Sequence, residues 1–264
     1  MATAGTDAPK TPLGVGSIIS DSFSIMFGNF AKVLLLGFTG AIVGLIVSAA
    51  FLGFDLATGI AEPDAIVSAN IGVVGWVVPT LVNMVIYGLV TALIIQLAYD
   101  AKLGRSNSIG TYFSAALPAL FPIIVLSIVV LILTSLGAFA LVIGALWVYA
   151  VFYVTVPVVV IERGGFGSMG RSATLTKEYR WSIAGLLVVV LAMSVIVQIV
   201  AGFLIAALAF VVGGLVGQIV IAVSFAGING IAYAFGGIAG ALTYARLREI
   251  KEGVAVDQIA AVFD

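Results

Sequence analysis

The chain contains neither cysteine nor histidine. Without cysteine it has no disulfides, no thiol-attached haem and no thiolate-bound metal. Without histidine it lacks the commonest metal ligand and the usual general base. These two absences argue against an enzyme and imply neither cofactor nor metal. Charge is also scarce: Asp, Glu, Lys and Arg make up 9% of the 264 residues, where soluble domains carry about a quarter. Hydrophobic residues reach 62% and the mean hydropathy is +1.29, which describes a polytopic membrane protein. The 11 basic and 12 acidic residues nearly cancel. No stretch interleaves dense Lys and Arg with aromatics, so nucleic acid is not an expected partner.

What is present is a set of long uncharged intervals. None of Asp, Glu, Lys or Arg occurs over 106–161 or over 181–245. A crossing needs about 20 apolar residues, so each interval suits two helices. The expected fold is all-α, with six transmembrane helices arranged as three hairpins. All 11 basic residues fall in four places: Lys10 and Lys32; Lys102 and Arg105; Arg163, Arg171, Lys177 and Arg180; Arg246, Arg248 and Lys251. Crossing every apolar block twice puts them on one side. The other side holds only Asp55, Glu62 and Asp64. The positive-inside rule then makes both termini cytoplasmic. The first residues lack the basic start and short apolar core of a cleavable signal, so they are expected to be retained.

Residues 1–12 read as a disordered arm. A first unit, 13–105, opens with an amphipathic elbow over 13–30 carrying Val15, Ile18, Ile19, Phe23, Met26, Phe27 and Phe30 at helical spacing. Crossings at 33–54 and 72–97 follow, around an outer loop with Pro63 and Asp64, and Pro79 predicts a kink. A second unit, 106–163, repeats the pattern: an elbow over 108–120 ended or bent by Pro118 and Pro122, then crossings at 121–134 and 138–161 joined at Ser135, Leu136 and Gly137. The third unit, 164–253, has an elbow over 167–178 and an interfacial anchor at Trp181. Its crossings turn at Gly213 and Gly214, and the last continues past Tyr244 into a charged tail. Val256, Ile259, Ala260 and Phe263 mark a short amphipathic segment in 254–264. The three interfacial elbows are expected to lie in the cytoplasmic leaflet.

The stretch 157–181 is the most distinctive. Pro157 followed by VVVIERGG, then Arg171, Ser172 and Leu175, then Tyr179, Arg180 and Trp181, resembles the signature of the glycerophosphodiester phosphodiesterase membrane-domain family of six-helix bacterial inner-membrane proteins. The closing YARLREIKEG and opening SIISDSFSIMFGNF resemble that family's ends. The resemblance implies a bacterial inner-membrane bundle without assigned chemistry. Six crossings occupy the 264 residues, so the catalytic barrel that gives the family its name is not expected here.

Three groups of residues are candidates for function. Arg163, Arg171, Lys177 and Arg180, near Glu162 and Glu178, form either a phospholipid headgroup site or an ordinary positive-inside border. Asn83, Gln198 and Asn229 are uncharged polar residues at depth. They serve either interhelical hydrogen bonding or a polar solute path. Gly40 and Gly44 with Ser48 in the first crossing, and Gly227, Gly230, Gly236, Gly237 and Gly240 in the sixth, are small enough to let helices approach closely, Gly236 and Gly240 at the same spacing as Gly40 and Gly44, within one chain or between copies in a homo-oligomer. No ionisable residue lies inside a crossing, which argues against ion-driven transport. The expected function is non-catalytic: organising membrane lipid or supporting a membrane-protein partner through interfacial helices. A passive facilitator for a small polar solute is the alternative.

Overall fold

The computed structural model describes residues 11–61 and 71–253, with backbone alone at 140 and 141. Among the described residues there is no strand, and six helices are long and apolar enough to cross a membrane. Helix follows from the medium: in hydrocarbon every backbone N–H and C=O must be paired within the segment. The order is α1 (Val15–Gly28), α2 (Phe30–Leu52), α3 (Phe54–Thr58), α4 (Val73–Lys102), α5 (Ile109–Gly137), α6 (Leu141–Phe152), α7 (Ser168–Leu175), α8 (Arg180–Val212) and α9 (Gly214–Glu252). Between α6 and α7 the chain makes one helical turn, Thr155–Pro157, and a π-helical turn, Val158–Glu162. The segment Val142–Glu162 is the fourth membrane-length span.

Helix ends follow local chemistry. Asn29 separates α1 from α2, its side chain donating back to the Ile25 carbonyl at 3.1 Å. Ser108 caps α5 by accepting the Thr111 N–H at 3.2 Å. Gly213, at φ 66°, is the single residue between α8 and α9, a left-handed position that glycine enters without steric cost.

The most extensive helix contacts are α9 with α2, α9 with α4, and α2 with α4. The last span therefore sits in the core of the first two. This is possible because α2 and α9 touch backbone to backbone: a Cβ at Gly230 would lie 2.6 Å from the carbonyl carbon of Gly37. Gly40 faces Val90 and Gly44 faces the Asn83 amide, so both pack α2 against α4. On α9 the close approaches belong to Gly230 and Gly237, the latter against Ile94, whereas a Cβ at Gly236 meets nothing within 4 Å and one at Gly240 only Pro157 at 3.7 Å. Burial concentrates toward the charged ends of the helices, where Ile94, Ile95, Ile238, Tyr244 and Leu247 are among the largest fully buried side chains. By contrast, α8 is buried only at Ile183, Ala184 and Leu186 near its start and at Ala209 near its end.

Several boundaries differ from those expected. The elbow over 108–120 is not a separate helix: α5 runs unbroken from Ile109 through Pro118 and Pro122 to Gly137. Each proline removes one backbone donor, but stopping the helix in an apolar medium would orphan several more. The turn after it falls on a 3-10 segment, Ala138–Ala140, rather than on 135–137. The third elbow shortens to α7. The first elbow exists as α1, but Ile18, Ser22 and Met26 form its buried face, against α9, while Phe27 is 63% exposed. The hydroxyl of Ser22 is accommodated there because it donates to the Ile18 carbonyl at 2.7 Å. Thr11 and Pro12, expected in the arm, are engaged: Tyr179 Oη donates to the Thr11 carbonyl at 2.9 Å and Arg246 to that of Pro12 at 3.3 Å. The expected turn at Pro63 and Asp64 and the segment 254–264 lie outside the described residues.

The glycine contact yields a direct test. Gly230→Val should lower stability by about 1–3 kcal/mol, the usual cost of overpacking a core, in a denaturant titration of the protein in detergent micelles. Gly236→Ala, with open space at its Cβ, should leave the midpoint unchanged.

Candidate functional site

The charged groups that the sequence scatters over four segments meet at one end of the bundle. Lys32 donates to Ser106 and Asn107 at 2.9 and 3.2 Å. Lys102 pairs with Asp21 of α1 at 3.3 Å. The densest cluster surrounds Glu162, the last residue of the π-helical turn. Arg171 on α7 meets its carboxylate in a fork, Nε to Oε2 at 3.0 Å and Nη2 to Oε1 at 3.0 Å, the bidentate geometry that makes guanidinium–carboxylate pairs directional. The Tyr244 hydroxyl, on a fully buried ring, donates to the same Oε1 at 2.8 Å. Arg248 donates to Tyr244 Oη at 3.3 Å and to Glu252 at 2.9 Å. Glu252 returns to Arg171 through a second short ion pair. Two carboxylates and two guanidinium groups thus close a neutral ring about one phenol. Hydrogen bonding to Glu162 raises the pKa of Arg171 above its ordinary value, so its charge is fixed across the physiological range.

A second polar feature lies behind this ring. The helical register breaks after Phe152. The Ser172 hydroxyl donates to the Val151 carbonyl at 3.0 Å, the Thr176 hydroxyl is shared between that carbonyl at 3.0 Å and the Ser172 carbonyl at 2.9 Å, and both residues are fully buried. An unpaired carbonyl there would carry its full desolvation penalty. The helix α7 is therefore fixed to the bundle twice: by hydroxyls to a broken backbone and by Arg171 to two acids.

The four basic residues expected at a headgroup site separate into two kinds. Arg171 is taken up by Glu162 and Glu252. Arg163 and Lys177 are exposed. Arg180 stacks over Trp147 at 4.8 Å and makes a long bond to the Ala173 carbonyl at 3.4 Å, while its Nε is buried without a hydrogen-bond partner. The exposed aromatics Phe166 and Trp181, the latter 67% accessible, belong to the same segments.

The three polar residues at depth also part company. Asn83 donates to Ser48 Oγ at 2.9 Å and to the Pro79 carbonyl at 2.8 Å, which joins α4 to α2. Gln198 and Asn229 instead line a 640 Å³ cavity between α8 and α9 that Asn83 does not reach. Among the described residues no cluster of acidic side chains is placed to hold a metal ion.

Sequence reasoning had the members of the neutral ring apart: Arg171 and Glu162 in the central segment, Tyr244 at an exit, Arg248 as border charge. Tyr244, Arg248 and Glu252 fall at i, i+4 and i+8 of one helix, a polar stripe readable in advance. Its partner across the fold was not.

Fold and site together define a multi-pass α-helical membrane protein with a neutralised ion-pair ring at one end of its bundle. No protein-family model, curated protein or solved structure matches the chain.

Arg171→Met should remove the pairs to Glu162 and Glu252 and leave Glu162 with only the Tyr244 hydroxyl and a long contact to Arg248 at 4.0 Å. The expected loss is about 2–3 kcal/mol, with faster amide exchange in α7 and the last turns of α9. Exchange confined to the substituted residue's neighbours, with an unchanged unfolding midpoint, would show that the ring does not hold these elements.

Proposed function

We propose that the protein is a non-catalytic inner-membrane protein that organises lipid, or supports a membrane assembly, through the charged end of its bundle. The observation that carries this is the division among the basic residues. The half-buried ring cancels its own charge, while Arg163 and Lys177 are exposed and Arg180 lies half-buried over the Trp147 ring, and among the described residues none of these three pairs with a carboxylate. Cations at a membrane border beside exposed Phe166 and Trp181 suit anionic phosphate above and acyl chain below, at roughly 1 kcal/mol for each basic residue near the surface. The positive-inside rule assigns this end to the cytoplasm. The helix α1 fits the same picture: one face is anchored on α9, with Phe23 and Phe235 centroids 4.8 Å apart, and Phe27 points outward, as an amphipathic helix seated in one leaflet requires.

Kinship with the six-helix phosphodiesterase membrane-domain family belongs to this proposal. What supports it is that the residues of the resemblance do structural work here. Glu162, Arg171 and Ser172 fix α7, Tyr179 ties the N-terminal segment, and Arg180 bridges α8 to α6. Such a motif encodes a joint, not a reaction. A homo-oligomer is compatible with the long exposed flank of α8. The facilitator alternative is weakened because Asn83 is spent on Ser48.

The test separates the two kinds of arginine. Protein carrying Lys177→Gln and Arg180→Gln, studied by native mass spectrometry from vesicles of phosphatidylglycerol and phosphatidylethanolamine, should retain anionic lipid about tenfold less well. Arg171→Gln should destabilise the fold yet leave retention by the folded fraction unchanged. Equal retention by all three proteins would overturn the headgroup site, and solute flux through reconstituted wild type would favour the facilitator.

A further inference from the structure

The flank of α8 contains a feature that the charged end does not use. At the turn, α8 and α9 are in close contact: a Cβ at Gly217 would lie 2.8 Å from the Ala209 carbonyl oxygen. Away from the turn they leave the 640 Å³ cavity, whose walls include Gly202, Phe210, Ile221 and Phe225, and which the end of α3 closes with Thr58 and Ile60. A smaller cavity of 100 Å³ continues it toward α1, between Phe23, Met26, Met193 and Phe235, and the two share Gln198 and Ile228. The result is one elongated cleft running along two membrane-length helices.

Its chemistry narrows the occupant. No lining residue of either part is charged, so a phosphate or an ion would find no counter-charge. The polar side chains are few, and two are largely satisfied: Thr58 donates to the Phe54 carbonyl at 2.8 Å and Asn229 to that of Phe225 at 2.9 Å. The cleft is open along its side, Phe210 being 89% exposed, and the medium around membrane-length helices is acyl chain. The volume falls in the range of small-molecule pockets. Gln218, near the start of α9, is the amide closest in sequence to the end of the span.

We infer that this cleft is a binding site for one acyl chain of a membrane glycerolipid, its ester end at Gln218 and its methyl end toward Phe23 and Met26. The inference deepens the lipid-organising role and rests on it. It adds a contact at the opposite end of the bundle from the basic residues, so that lipid is held at two independent places. Because the cleft ends against α1, an occupied cleft also buttresses the interfacial helix.

The test uses phosphatidylglycerol with a terminal diazirine on one acyl chain, in vesicles of phosphatidylglycerol and phosphatidylethanolamine holding the full-length protein. Photolysis should label Phe23, Met26 or Met193 above the level seen at Leu204 and Phe203, which are exposed on α8 outside the cavity lining. Gly202→Trp places an indole where the backbone leaves open space, and should cut that labelling about tenfold by displacing several methylenes. Gln218→Leu, at an exposed position, should cut it roughly threefold and serves should the tryptophan variant fail to fold. Labelling spread evenly over all exposed faces and indifferent to both variants overturns the acyl site. If Lys177→Gln with Arg180→Gln still loses anionic lipid in that case, the headgroup proposal stands alone. If the border variant retains its lipid while cleft labelling persists, the headgroup proposal fails and the acyl site is upheld. Conversion of a cross-linkable dimer to monomer by Gly202→Trp would assign the cleft to a second copy of the chain and overturn the inference.

Discussion

Backbone contact between Gly37 and Gly230 sets the separation of α2 and α9, and most of the bundle's geometry follows from it. In water, burying leucines would drive two helices together; in hydrocarbon the lipid tails are as apolar as the side chains, and close packing must do that work. With no Cβ on either side, α9 comes near enough for Gly237 to receive Ile94 of α4, while Gly40 and Gly44 of α2 receive Val90 and Asn83 of the same α4. The last span thereby packs against both of the first two, and its continuation past Tyr244 reaches the charged end. The charged end could not assemble without that placement, because Tyr244 and Arg248 reach Glu162, and Glu252 reaches Arg171, only from a helix already central to the fold.

The central segment solves a different problem. The fourth span loses regular helical register after Phe152, which frees the Val151 carbonyl in a dry environment. The hydroxyls of Ser172 in α7 and of Thr176 just past its end meet it. Once α7 is placed for that purpose, Arg171 lies against the end of the same span and its charge has to be met, which Glu162 and Glu252 do. The polar residues of this region therefore form a sequence of obligations, each satisfied by the next. The net result is a rigid, neutral joint between the middle of the chain and its end.

The six spans were legible because the signal is mean composition over long windows: 106–161 and 181–245 lack any formal charge, and only helices can hold such segments in lipid. The helical continuity of α5 was not legible, since Pro118 and Pro122 are the ordinary marks of a helix end in water. Their cost is outweighed only where no solvent exists to receive the freed carbonyls. The glycines show a second limit. Gly236 and Gly240 have the same spacing as Gly40 and Gly44, yet only the latter pair meets a facing helix closely. Spacing places residues on a common face and says nothing of which face is turned inward; Gly230 and Gly237 hold that position instead. The ion-pair ring fails to appear for a similar reason. Grouping charges by proximity along the chain separates Arg171 from Glu252, although folding makes them neighbours.

The separation of the basic residues bears on what such a bundle can do. A border built only to satisfy the positive-inside rule needs cations on one side and is indifferent to their partners. Here Glu162 and Glu252 are matched against Arg171 and Arg248 inside the joint, where an unmatched charge would be costly to bury. Arg180 is held in place by an aromatic face and not by an acid, at 4.8 Å from the Trp147 ring. Stacking on an indole fixes the guanidinium plane while leaving its charge available, whereas a carboxylate would fix the plane and cancel the charge. A residue that must be both positioned and positive is served better by the ring than by the acid. That difference in partner, between Arg171 and Arg180 nine residues apart in the same segment, sets a guanidinium paired with acids beside one held on an aromatic face.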